Sequence, residues 1–146
     1  MNGKEWKHAL IILCGMAFLL TLYAAGSLAY RILTSSVAES EDGQWRAVVY
    51  KGYPYWTGLL FCYNEGELKD LGLELTWETG NWATQVQDPL NQPKELNLLE
   101  KVLAGKRVVS WMRFSDLGDE KPLYEELIVS YTDGNEGEKA HLNFQK

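Results

Sequence analysis

Hydrophobic positions fall along this chain in two regimes. From Ala9 to Tyr30 they form a run with no charged residue, and from Gln44 onward they alternate with polar positions in short bursts. The run is 22 residues long. As an α-helix rising about 1.5 Å per residue it reaches roughly 33 Å, enough to cross a hydrocarbon core of about 30 Å. The pattern predicts a transmembrane helix over 9–30, preceded by a short flank, 1–8, and followed by a linker, 31–39.

The bursts after the linker have the period of strands. Trp45, Ala47 and Val49 share one face of a segment 44–50, with Gln44, Arg46 and Val48 on the other. Ser40-Glu41-Asp42-Gly43 ahead of it reads as a turn. Lys51 to Gly58, glycine-bounded with Pro54 inside, reads as a loop, and a second strand follows over 59–63. Leu71, Leu73, Leu75 and Trp77 alternate with Gly72, Glu74 and Thr76, so one side of that sheet faces water. Glu78 to Asn81 reads as a hairpin turn into a strand over 82–87. Further strands are expected at 107–114, 123–131 and 139–144, the last two joined around the turn 132–137.

One segment switches to helical spacing. Leu96, Leu99 and Leu103 recur on one face, Leu98 and Val102 broaden it, and Gly105 closes it. Pro93 suits a first helical position, and Glu95 the third. The expected architecture is one N-terminal transmembrane helix followed by a mostly antiparallel β domain, sandwich-like or α+β, with one helix, over residues 40–146.

Charge sets the orientation. Lys4 and Lys7 precede the apolar run, whereas Arg31 is followed by Glu39, Glu41 and Asp42. The basic excess predicts a cytoplasmic N-terminus, with Trp6, Tyr23 and Tyr30 near the interfaces. Ser27-Leu28-Ala29 is a small-x-small sequence that a signal peptidase accepts, so a cleaved leader is the alternative. The length of the run and Arg31 behind it favour a retained anchor. From position 31 on, 12 basic and 19 acidic residues leave a net charge of −7. That balance disfavours nucleic acid and anionic surfaces as main partners of the domain. Cys14 lies in the run and Cys62 far outside it, so the two cannot pair across a spanning topology; Cys62 reads as a small buried hydrophobe.

Candidate chemistry is sparse. His141 is the one histidine after the anchor, and no serine or acid pattern assembles a triad around it. Asp133 to Glu138 alternates oxygen-bearing residues, but Glu138 stands where a calcium loop needs glycine, so a hairpin tip is the better reading and no metal or other cofactor is expected. Glu74, Glu78, Glu125 and Glu126 are candidates for a hydrolytic carboxylate pair without any spacing that singles them out. Aromatics carry more information. Trp45 and Trp77 lie on apolar strand faces and read as core. Tyr53, Tyr55 and Trp56 share the glycine-bounded loop, where amphipathic rings suit protein recognition, stacking on a sugar, the membrane interface, or a lid folded over the core.

Ser40-Glu41-Asp42-Gly43-Gln44-Trp45-Arg46-Ala47-Val48-Val49-Tyr50 resembles the S-x-D-G-x-W/Y strand opening found in exported β-propeller repeats and in small bacterial membrane-anchored domains of unknown function. A propeller needs many such units and this chain has one, so the second setting fits. The resemblance spans about eleven residues, implies a bacterial, envelope-facing protein, and transfers no catalytic residue. The expectation is therefore a non-enzymatic membrane-anchored envelope protein whose extracytoplasmic domain binds another protein through Tyr53, Tyr55 and Trp56. The alternatives are a carbohydrate- or cell-wall-binding module using the same rings, or an envelope hydrolase.

Overall fold

A computed structural model of the chain describes residues 3–52, 54–66, 68–77, 80–85, 96–118, 120–121 and 125–144. Helix α1 runs from Gly3 to Leu33 and buries none of its residues. It is the one helix among the described residues long and apolar enough to cross a membrane. Among the described residues eight strands follow: β1 (Ser36–Glu39), β2 (Trp45–Lys51), β3 (Trp56–Cys62), β4 (Leu68–Trp77), β5 (Gly80–Gln85), β6 (Ser110–Asp116), β7 (Glu126–Asp133) and β8 (Glu136–Asn143), with helix α2 (Leu98–Ala104) between β5 and β6. They form two four-stranded sheets, β1-β2-β3-β6 and β5-β4-β7-β8, in which every pairing is antiparallel. The expected class, a long apolar helix followed by an antiparallel β domain with one helix, is the observed one.

The first sheet is covered on both faces because its central strands are apolar on both faces. Trp45, Ala47 and Val49 of β2 and Leu60 and Cys62 of β3 face the second sheet, where Leu73, Leu127, Val129 and Leu142 meet them. Val48, Leu59 and Phe61 point the other way, onto Leu99, Leu103 and Ala104 of α2 and onto Leu28 and Ile32 of α1. The result is three layers: helices, sheet, sheet. The second sheet keeps the water-facing side that its alternation predicts, with Leu127, Val129 and Tyr131 of β7 buried and the residues between them half-buried.

Several boundaries differ from the expected ones. Residues 31–39 are not a linker: α1 continues to Leu33, and β1 pairs in register with β2, Ser36 opposite Val49 and Glu39 opposite Arg46. Strand β4 starts at Leu68 because a register shift around Asp70, which adopts φ 53°, lets the strand continue past it. The β7–β8 turn is the two residues Gly134 and Asn135, since Asp133 pairs with Glu136. Strand β6 opens at Ser110 rather than at Arg107. Helix α2 starts at Leu98, not at Pro93. Asn97 caps it, accepting from Glu100 N–H at 2.9 Å while the Glu100 carboxylate accepts from Asn97 N–H at 2.8 Å. Pro93, Glu95 and the 86–87 end of the fifth strand lie outside the described residues, as do the side chains of Trp77 and Trp82.

A seven-residue helix is marginal alone, and here the sheet holds its end. Arg46 Nε donates to Leu103 O at 2.8 Å, the Tyr63 hydroxyl donates to Ala104 O, and Gly105 closes the helix at φ 76°. Burial pushes the Tyr63 phenol up to about 12, with the Arg46 charge lowering it and the Glu39 charge raising it. The raised folded-state value leaves stability intact below pH about 10, where an unfolded tyrosine begins to ionise, and removes it as pH rises through about 12. A urea-midpoint series on the full chain in micelles is expected to fall across that window. Tyr63→Phe should start lower, having lost the bond to Ala104, and fall less steeply.

Candidate functional site

The resemblance motif is a turn-building device. Ser40 N–H donates to Trp45 O at 3.0 Å, and Trp45 N–H donates to the Ser40 hydroxyl at 3.0 Å. That hydroxyl donates in turn to the Asp42 carboxylate, which also accepts Gln44 N–H at 3.0 Å. Gly43 closes the turn with φ 68°, a left-handed conformation that costs glycine least. The named residues of Ser-x-Asp-Gly-x-Trp are thus all engaged in the fold. Ser40, Asp42 and Gly43 shape the β1–β2 hairpin, and Trp45 delivers its ring to the core.

Two of the three aromatics expected to make the contact, Tyr55 and Trp56, do not share a surface. Trp56 opens β3 instead of lying in a loop, because its N–H donates to Gly118 O at 2.8 Å and its carbonyl accepts Leu117 N–H at 2.7 Å. Its ring is 6 % exposed and belongs to the core between the sheets. The amines of Lys51 and Lys121 stand 5.5 and 5.8 Å from the ring centroid. Trp56 is therefore a lid on the core and leaves the candidate contact. Tyr55 is 49 % exposed and stays in it. Tyr53 lies outside the described residues.

Position in the fold gives Tyr55 its interest. Only Thr34 and Ser35 separate α1 from β1, and Ser36 pairs with Val49 near the end of β2. The β2–β3 connection that carries Tyr55 thus lies at the anchor end of the domain, while the Ser40–Trp45 turn lies at the far end. Tyr50, at the same anchor end, feels the charges of Arg113, Glu100 and Arg31, although burial is the main cause of its raised pKa.

The other candidate groups sit elsewhere. A groove of about 340 Å³ opens where the first hairpin meets β8, lined by Ser40, Glu41, Asp42, Lys139, Ala140 and His141. His141 Nδ1 lies 2.6 Å from Glu126 Oε1, both at the surface, whereas the Ser40 hydroxyl and the Asp42 carboxylate are engaged within the turn. Glu74 is exposed on β4. Among the described residues no three His, Cys, Asp or Glu side chains gather as a metal site would require. Cys62 is fully buried with a free thiol, and burial raises its pKa, as a core role demands. Glu78 lies outside the described residues.

The sequence pattern misses one surface feature. Leu98 and Val102, read as widening the buried face of α2, are 68 % and 45 % exposed. The helix buries Leu99 and Leu103 instead. A helical wheel shows both pairs as apolar and does not say that one of them lies open.

Comparison with family models, with curated proteins and with solved structures gave no match.

Proposed function

We propose that the chain is a non-enzymatic, single-pass envelope protein whose N-terminus is cytoplasmic and whose β domain, outside the cytoplasm, binds another protein. The observation that carries this reading is the union of anchor and domain. Leu28 and Ile32 of α1 pack into the helical layer of the domain, and β1 begins directly after the helix. A domain joined in this way has a set orientation above its anchor rather than a free tether. The half-exposed Tyr55 then sits at the membrane-proximal end, and a partner that meets it must itself come close to the bilayer. That makes another membrane protein the fitting class of partner. The basic flank Lys4 and Lys7 supports the topology, and the acidic domain beyond Arg31 agrees with it.

The test is photo-crosslinking in native membranes, with the probe at Tyr55 and a control at Glu136 on the β7–β8 tip. A discrete protein adduct at Tyr55 and none at Glu136 is expected. An adduct only at Glu136 would move the contact to the opposite end of the domain. Silence at both positions would remove the loop as a partner site.

A further inference from the structure

The exposed pair on α2 has an occupant set by the geometry of the anchor. This inference rests on the reading of α1 as a membrane span. Counted from Ala9, about 20 helical residues cover a hydrocarbon core of roughly 30 Å, which brings its outer boundary to the neighbourhood of Leu28. The polar headgroup layer adds about 5–7 Å on that side, or roughly four more residues, and reaches Ile32. Leu28 and Ile32 of α1 pack against the domain, and Ser27 and Arg31 beside them are half-buried. The domain therefore grips its anchor within the headgroup layer.

Helix α2 is part of that grip. It contacts α1 directly, and Leu99 and Leu103 share a cluster with Leu28 and Ile32. Its C-terminal end is tied to Arg46 and Tyr63, toward the far end of the sheet, which turns its first residues to the anchor end. Leu98 is the first of them. Tyr30 and Leu33 of α1 are also exposed at this level, and Arg31 and Lys101 supply cations beside them. Apolar side chains next to basic ones, on a helix whose first turn reaches the level of the headgroups, are the composition that suits the membrane interface.

We propose that the Leu98–Val102 face of α2 rests in the headgroup layer of the bilayer that α1 spans, with its leucine and valine against acyl chains and Lys101 and Arg31 at lipid phosphates. The contact would hold the domain down on the membrane and leave the groove and the β7–β8 tip facing away from it.

The full chain, with Cys14→Ala, is placed in phospholipid nanodiscs, and a nitroxide is attached in separate variants at Leu98→Cys, Val102→Cys, Phe18→Cys and Glu136→Cys. Cys62 is buried and does not compete for label. Collisions with oxygen, which concentrates in lipid, are compared with collisions with a water-soluble nickel chelate. The expected result is that Leu98 and Val102 lose most of the chelate collisions seen at Glu136 and keep those with oxygen, with Phe18 more protected still. Chelate collisions at Leu98 and Val102 equal to those at Glu136, with Phe18 protected, would overturn the inference and leave the anchor standing. Loss of both reagents at Leu98 would overturn it in favour of a protein cover, such as a second copy. Chelate access at Phe18 would end the anchor reading and this one with it.

Discussion

Trp45→Ala is expected to destabilise the domain by about 3–5 kcal/mol, a large share of the roughly 5–15 kcal/mol that holds a domain of this size. Trp45 is fully buried and lies on the inner face of the first sheet, next to Leu60 and Cys62. Its ring meets Tyr131 of the second sheet at 5.2 Å between centroids, tilted by 49°. Alanine would remove the side chain that fills the space between the sheets from the hairpin end, and strands pinned by two ladders cannot collapse into the gap. Pulse proteolysis of the full chain in micelles across a urea series reads the loss. Tyr55→Ala is the contrast: an exposed ring whose removal should move stability by no more than about 0.5 kcal/mol. If that variant unfolded as readily as Trp45→Ala, Tyr55 would be a packing residue and not a contact residue.

Gly58→Ala is the second large effect, in the opposite sense of too much volume. The pairing of β3 with β6 skips a residue: Gly58 lies opposite Ser115 and Leu59 opposite Arg113, which leaves Phe114 unpaired. Its ring folds over Gly58, so that a Cβ there would stand 2.4 Å from the ring carbons Cε2 and Cζ. Phe114 is itself buried, so the ring has no solvent to move into. One methyl group is expected to cost about 1–3 kcal/mol by forcing the ring or the strand aside. Phe114→Leu opens space at the same spot. The double variant Gly58→Ala with Phe114→Leu should then lose less than the sum of the single losses, by the same urea-midpoint measurement. Simple additivity would mean that the ring does not lie over the glycine.

The features legible along the chain were those set by local pattern. The uncharged run of 22 residues marks a candidate span on length alone. Alternation placed Trp45, Ala47 and Val49 on one buried face, and Leu71 and Leu73 on another. The start of α2 was legible too, since Asn97 followed three residues later by Glu100 is a capping-box signature. Strand β1 was not legible. Of Ser36-Val37-Ala38-Glu39 only Ala38 is buried, and the segment is extended because β2 offers it a ladder.

The candidate site divides in the same way. The sequence by itself determined that amphipathic rings gather between Lys51 and Gly58, that α2 carries five apolar positions, and that Ser40 to Trp45 opens a strand. Tertiary structure decided which of these face outward. Trp56 turns inward because backbone groups of Leu117 and Gly118, distant in the chain, take its N–H and C=O into a sheet. Leu98 and Val102 stay open because α2 turns the face carrying Leu99 and Leu103 to the sheet and to Leu28 and Ile32 of α1, and the opposite face meets nothing among the described residues. Periodicity records which residues are able to be buried. Exposure depends on what is brought against them, and that comes from contacts between segments far apart in the chain.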